Sequence, residues 1–269
     1  MKIYVMTDME GVAGVLDGAD YTAPTSRYYE RACELTTLET NAAIEGAIEA
    51  GATEFLVADG HGWGAINPTL LHPAARLYAG RGLRYPFGCD ESFDAAFIIG
   101  QHAMSNADGG HLAHTGGFNV ENQTLNGQEV GELAVNMLMC AYFGVPTVFL
   151  AGDQACCEEV RRLIPSIETV AVKAGDKRGS ASGLSLEENR LFNSAAIHLA
   201  PTHARELIRD GARRALLRRH EIPKFWVEPP YEWTMTLRPE ADSPALRAVA
   251  NHSDFMALLE APKNFEKVA

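Results

Sequence analysis

The feature that most constrains the fold of this chain is a series of short apolar runs separated by stretches of helical spacing. "KIYVMT" comes first, followed by "EFLVAD", "AAFIIG", "TVFLAGD" and "SIETVAV". These runs are rich in Val, Ile, Leu and Phe and lack the strict alternation of a half-exposed strand. Runs of this kind suit strands buried on both faces, as in a parallel sheet covered by helices. Between the first two runs, about Ser26 to Ala50, the spacing predicts one long helix ending at Gly51. Ile44, Ala47 and Ile48 would form its inner stripe. Thr36 and Glu39 have capping-box spacing, which allows a break inside it.

The segment "NQTLNGQEVGEL" carries Asn126-Gly127, a strong hairpin signal. A helix is expected from near Val130, with Leu133, Ala134, Met137, Leu138 and Ala141 on one face and Gly144 at its end. After about Lys173 the texture changes, starting with the glycine-rich "AGDKRGSASG". Ser185 and Glu188 form a capping box for a helix that Pro201 would interrupt. A strand pair is expected around "KFWVEPPYEWTMTLR", and "SPALRAVANHSDFMALLEAP" reads as helical in parts. The expected class is α/β: a largely parallel sheet flanked by helices, with a smaller C-terminal α+β lobe. The division falls near residue 175, giving 1–175 and 176–269.

Charge and cysteine usage narrow the function. A net charge of −12 argues against nucleic acid as a partner, because neutralising phosphates needs a basic surface. Arg213, Arg214, Arg218 and Arg219 form one local basic cluster, read as a solvated helix end. No apolar run approaches a membrane span, and a first strand starting at Lys2 leaves no room for a signal peptide. A cytoplasmic protein is expected. The cysteines are odd in number and lack a C-x-x-C pair, so they read as reduced, buried thiols.

The strand ends carry the chemistry. The first run ends in Asp8 and Glu10, the second in "ADGHGWG" with Asp59 and His61, and the third in "GQHAM" with His102. In an open α/β sheet, sites form beyond the carboxyl ends of the strands. Residues i and i+2 of an extended segment point the same way, so Asp8 and Glu10 can reach one centre while Met9 turns into the core. Two close carboxylates repel unless a cation lies between them or one is protonated. With His61 and His102 they make a mixed oxygen and nitrogen set suited to zinc, with manganese or cobalt as substitutes. Glu132, in the first turn of the helix after the hairpin, is a fifth candidate. Five ligands exceed the need of one tetrahedral zinc, so two ions per chain bridged by a carboxylate are expected. "GGHLAHTGG" adds His111 and His114 in a glycine-flanked loop, and one of them could act as acid, base or nucleophile. Asp59 and Asp153, also at strand ends, are candidates for supporting or capping groups.

In order along the chain, "TDMEGVAG", "ADGHG", "GQHAM", "LAHTGG", "LNGQEVGELAVN" and "GVPTVFLAGD" together resemble the D-aminopeptidase family of bacterial dipeptide operons, the DppA-type metallopeptidases. The resemblance covers roughly the first 175 residues; it departs at Gly60, where a serine is expected, and is weak from about Lys224. It implies a dinuclear zinc centre held by Asp8, Glu10, His61, His102 and Glu132, with His114 as the catalytic residue. It also implies hydrolysis of short peptides with an N-terminal D-amino acid. The assembly it implies is a homo-oligomer, a decamer of two stacked five-membered rings around an inner chamber. Two other readings fit similar ligands: a dinuclear amidohydrolase acting on cyclic amides, and a non-catalytic metal- or peptide-binding oligomer.

Overall fold

The computed structural model describes residues 1–80, 82–240 and 243–268. β1 (Lys2–Thr7) leads through a one-turn helix α1 (Gly18–Tyr21) to the long α2 (Tyr29–Glu49), then β2 (Glu54–Asp59), β3 (Ala75–Tyr78) and β4 (Ala95–Gln101). A hairpin of β5 (Val120–Leu125) and β6 (Gln128–Glu129) precedes α3 (Glu132–Tyr142), β7 (Thr147–Asp153), α4 (Gln154–Leu163) and β8 (Glu168–Gly175). Then come α5 (Leu186–Phe192), β9 (Ala196–His198), α6 (Pro201–Leu217), β10 (Tyr231–Leu237), β11 (Leu246–His252), α7 (Phe255–Glu260) and β12 (Glu266–Lys267).

The apolar runs form one sheet in the order β3-β2-β1-β4-β7-β8-β9. Its pairings are parallel except that of β8 with β9. Every residue of β4 and β7 is buried, so helices cover both faces there. Helices α2 and α6 pack on each other and on the sheet, as do α3 and α4. A second, antiparallel sheet has the order β12-β11-β10-β5-β6. It draws strands from both sides of residue 175, and α6 and β9 return to the first sheet.

The order of the first sheet reverses beside β1. β2 lies on one side of it and β4 on the other, with Thr7 level with Asp59 and Ile99. The crevice past these carboxyl ends is a topological switch point, where α/β folds place their sites.

Several local expectations need correction. α2 runs unbroken, because the Thr36 hydroxyl donates back to the Ala32 carbonyl and Glu39 turns inward to accept from the Ala13 N–H. Ile48 faces outward, 40% exposed, while Ile44 and Ala47 are buried. α3 starts at Glu132, with Gly131 as its cap. Pro201 opens α6 rather than interrupting a helix, since its missing N–H costs nothing in a first turn. The expected strand pair is the single strand β10, whose partners are β5 and β11. The stretch read as helical in parts is strand β11 over Leu246–His252 and helix α7 over Phe255–Glu260. The Asn126-Gly127 turn has positive φ at both residues, 51° and 78°, as a tight hairpin turn requires.

The basic cluster is ion-paired at the protein surface: Arg214 and Arg218 reach Glu168, and Arg213 lies 3.9 Å from Glu49. All five cysteines are free and buried. Among the described residues no helix is long and apolar enough to cross a membrane.

Candidate metal centre

The chain leaves β1 at Asp8 and crosses the end of β4. The Asp8 N–H donates to the Ile99 carbonyl at 2.9 Å and the Gly11 N–H to the Gly100 carbonyl at 2.7 Å. This approach requires glycine at two positions. A Cβ on Gly11 would lie 2.1 Å from the Gln101 carbonyl oxygen, and one on Gly100 2.2 Å from that of Asp8. His61 sits in the turn after β2. The Asp59 carboxylate braces that turn by accepting from the Ala65 and Ile66 N–H groups at 2.8 and 3.2 Å.

The three histidines share one arrangement. His61 Nε2 is 2.9 Å from the Thr22 carbonyl, His102 Nδ1 2.9 Å from the Ala103 carbonyl, and His114 Nδ1 2.8 Å from the Leu112 carbonyl. A carbonyl only accepts, so the nitrogen facing it carries the proton. The other nitrogen then faces carboxylate oxygens. His61 Nδ1 is 3.2 Å from Glu10 Oε2 and 3.4 Å from Asp8 Oδ1. His102 Nε2 is 3.2 Å from Asp8 Oδ2 and 3.7 Å from Glu132 Oε1, and His114 Nε2 is 3.9 Å from Glu132 Oε1. In a neutral ring each of these nitrogens presents a lone pair to an anion. A cation between them removes that repulsion, and carbonyl-oriented rings are the usual support of metal-bound histidine.

Electrostatics describe the same strain in protons. Burial alone would lower the pKa of His61, but Glu10 and Asp8 outweigh it and push it up to about 12. Burial is likewise overcome at His102, mainly by Asp8, and its pKa rises to about 10. Burial opposes the charge on Asp8, yet His102 and His61 hold it well below the usual carboxylate range. Glu10 is lowered against burial by His61. His114 differs: burial and the charge of His102 keep its pKa below the ordinary imidazole value.

The donor set fits metal. Candidate ligand atoms of Asp8, Glu10 and His61 all lie within 4.8 Å of one another, as do those of His102, His114 and Glu132. Asp8 faces both groups, with Oδ1 toward His61 and Oδ2 toward His102. Glu10 Oε2 and His102 Nε2 are buried and complete no hydrogen bond among the described residues. Oxygen and imidazole donors in this mixture suit zinc.

Asp8, Glu10, His61, His114 and Glu132 line one cavity of about 410 Å³. His102 lies behind it, its ring stacked on that of His114. His111 is not there: it is fully buried, perpendicular to the ring of His198 at 5.3 Å. Asp153 caps α4 through the Cys156 N–H and also accepts from the His111 N–H at 3.0 Å.

Two contributors are additional to those expected. Gln101, inside the quoted "GQHAM", donates its side-chain N–H to Asp8 Oδ2 at 2.9 Å. Asn136, one turn after Glu132 on α3, also lines the cavity.

A family model described as D-aminopeptidase matches residues 1–254, well past the first 175. The D-aminopeptidase of Bacillus subtilis (strain 168) is 35% identical over 188 residues, covering 69% of this chain and 68% of that protein. A solved structure, the Zn-dependent D-aminopeptidase DppA from Bacillus subtilis, described as a self-compartmentalizing protease, superposes with a TM-score of 0.84 at 25% identity. The match covers 97% of this chain and 94% of that one. With the match running across both sheets and through every strand end of the site, the chain belongs to the D-aminopeptidase family.

Proposed function

We propose that this protein is a zinc-dependent aminopeptidase that removes the N-terminal residue from short peptides, including those that begin with a D-amino acid. The observation that carries this reading is Asp8, which presents one oxygen to each of two groups of ligand-type side chains. Asp8, Glu10 and His61 would hold one ion, His102 and Glu132 the second, with Asp8 bridging. Lewis-acid polarisation of the scissile carbonyl is the chemistry that bound zinc supplies.

The chain's own residues do the rest. The carbonyls of Thr22, Ala103 and Leu112 fix the rings of His61, His102 and His114 by their outer N–H groups. Gln101 holds Asp8. His114, neutral and facing the cavity, can take a proton from the attacking group and return it to the leaving amine.

All residues assigned here lie within 1–175, while residues 176–269 complete both sheets around them. The self-compartmentalizing relative supports a homo-oligomer, up to a decamer enclosing the sites, and a cytoplasmic location is part of the same reading.

The test is metal analysis of purified protein, then a panel of L- and D-amino acid amides, dipeptides and cyclic amides. Near two zinc ions per chain, with turnover of linear N-terminal D-substrates, is expected. Turnover of cyclic amides alone would replace the reading with the amidohydrolase. Peptide binding without turnover would replace it with the binding protein.

A further inference from the structure

The segment just past Glu10 is held in an unusual way. Three consecutive residues, Ala13, Gly14 and Val15, each give a backbone polar group to a titratable side chain from a different element. The Ala13 N–H donates to Glu39 of α2 at 2.9 Å. The Gly14 N–H donates to Nδ1 of His198 on β9 at 3.2 Å. The Val15 carbonyl accepts from Nζ of Lys173 on β8 at 3.2 Å. Glu39 and Lys173 are 1% and 3% exposed, and neither belongs to the candidate metal centre.

Packing alone does not explain the arrangement. Met9, Val12 and Val15 belong to a small apolar cluster with Tyr21, Ala32 and Leu112, separate from the main core. Ala13 packs in the main core, but the residues on either side of it, Val12 and Val15, do not, so the segment spans two clusters and its polar anchors fix how it crosses between them. Loss of an acceptor here leaves a buried N–H unpaired, and the chain can relieve that only by moving. The segment that moves begins three residues after Glu10, so a shift there passes to Glu10 and Asp8 through Gly11 and Val12. Lys173 also faces Asp153 and Glu39, and beyond them Glu10 and Asp8, so it supplies positive charge behind an acidic site.

We infer that Glu39, His198 and Lys173 are positioning residues: they clamp residues 13–15 and thereby hold Asp8 and Glu10 where they bind metal. The inference rests on the metal reading of Asp8 and Glu10. Partners of this outer kind cost roughly 10–100-fold in metal affinity when removed.

The experiment is a zinc dissociation constant by competition with a chromophoric chelator, measured beside the thermal midpoint. The variants are Glu39→Leu, Glu39→Gln, His198→Ala and Lys173→Met, with Ile44→Ala as a control. Ile44 is a fully buried core residue of the same helix as Glu39. Glu39→Leu and Lys173→Met should each weaken zinc binding about 10–100-fold. Glu39→Gln should stay within about threefold of the wild type, because its amide oxygen still accepts from Ala13. Ile44→Ala should lower the midpoint and leave zinc affinity unchanged. If Glu39→Leu or Lys173→Met fails to fold, His198→Ala, at a partly exposed position, carries the test with a loss of at least about threefold. Folded variants that bind zinc as tightly as the wild type overturn the inference alone. A wild type that takes up no zinc removes the metal reading, and this inference with it.

Discussion

The imidazole rings of His102 and His114 stack face to face, with centroids 3.9 Å apart and planes inclined by 15°. Phe118 stacks on His114 as well, at 4.6 Å. His114 is thus held between two rings while its Nδ1 is tied to the Leu112 carbonyl. Only Nε2 remains free to act, and it faces the cavity near Glu132. In the metal-free site burial and the charge of His102 both disfavour a proton on His114, and a cation held by His102 would act in the same direction.

The first prediction follows from that geometry. His114→Ala should retain its metal content and its oligomer but lose at least about a hundredfold in turnover, the low end for general acid–base catalysis. His111→Ala should be mild by comparison, because His111 packs against His198 away from the cavity. Metal analysis and kinetics on both proteins decide it. Metal loss in His114→Ala would make His114 a ligand.

Much of this arrangement is legible in the sequence, and the reasons are particular. β1, β4 and β7 announce themselves because they are buried on both faces, which leaves an apolar run. β3 and β9 are edge strands of four and three residues with partly exposed side chains, so their composition carries no such signal. β11 imitates a helix: Leu246, Val249 and Ala250 have helical spacing, yet Ala248 and Ala250 turn inward while Val249 is 47% exposed. The carboxylates of the site, His61 and His102 stand out because each follows a buried strand or opens a helix, and His114 because glycines flank its loop. Gln101 carries no charge to mark it, although it touches Asp8. The carbonyls of Thr22, Ala103 and Leu112 cannot be read from side-chain identity at all.

The second prediction concerns Asp8 as the bridge. Because Asp8 Oδ1 and Oδ2 face different groups, Asp8→Ala should lose both metals or leave one weakly held. Glu10 belongs to the group with Asp8 and His61, so on the proposed assignment Glu10→Ala should spare an ion held by His102 and Glu132. Zinc per chain, measured on both variants after dialysis, separates them. Two tightly held ions in Asp8→Ala would remove Asp8 from the site.

The third prediction concerns Gln101. Its amide N–H fixes Asp8 Oδ2, a role of the kind worth about 10–100-fold in metal affinity or activity. Gln101→Glu replaces a donor with an acceptor beside a carboxylate that already has Glu10 near it. It should therefore be worse than Gln101→Leu, which only removes the donor. Comparable activity in both variants would show that the hydrogen bond does not position Asp8.

The fourth prediction concerns assembly. If the sites are enclosed as in the self-compartmentalizing relative, the particle in solution should be far larger than one 29.2 kDa chain. Light scattering at micromolar concentration measures this directly. A monomer would remove the enclosed chamber and leave the metal chemistry untouched.

The last prediction concerns stability in acid. His111 is fully buried, and neither of its ring nitrogens completes a hydrogen bond of good geometry among the described residues. Burial, helped by the charges of Lys173 and His198, holds its pKa down to about 3, against a weaker opposing pull from the Leu16 and Ser194 carbonyls. The unfolded chain takes up that proton near the ordinary imidazole value of about 6.5. Between these two values the unfolded state binds more protons than the folded state. Stability therefore falls as pH drops through that window and is fully present above it. His198, lowered to about 4 mainly by burial, adds in the same direction. Glu39 works the other way: burial raises it to about 8, so its contribution declines as pH rises from the ordinary carboxylate range. His111→Leu isolates the first effect. Unfolding free energies of metal-free wild type and variant should be compared from pH 4 to 7. The wild type should lose stability more steeply on acidification, by up to one proton, or about 1.4 kcal/mol per pH unit. Equal slopes would mean that His111 becomes charged in the folded protein as readily as in the unfolded chain.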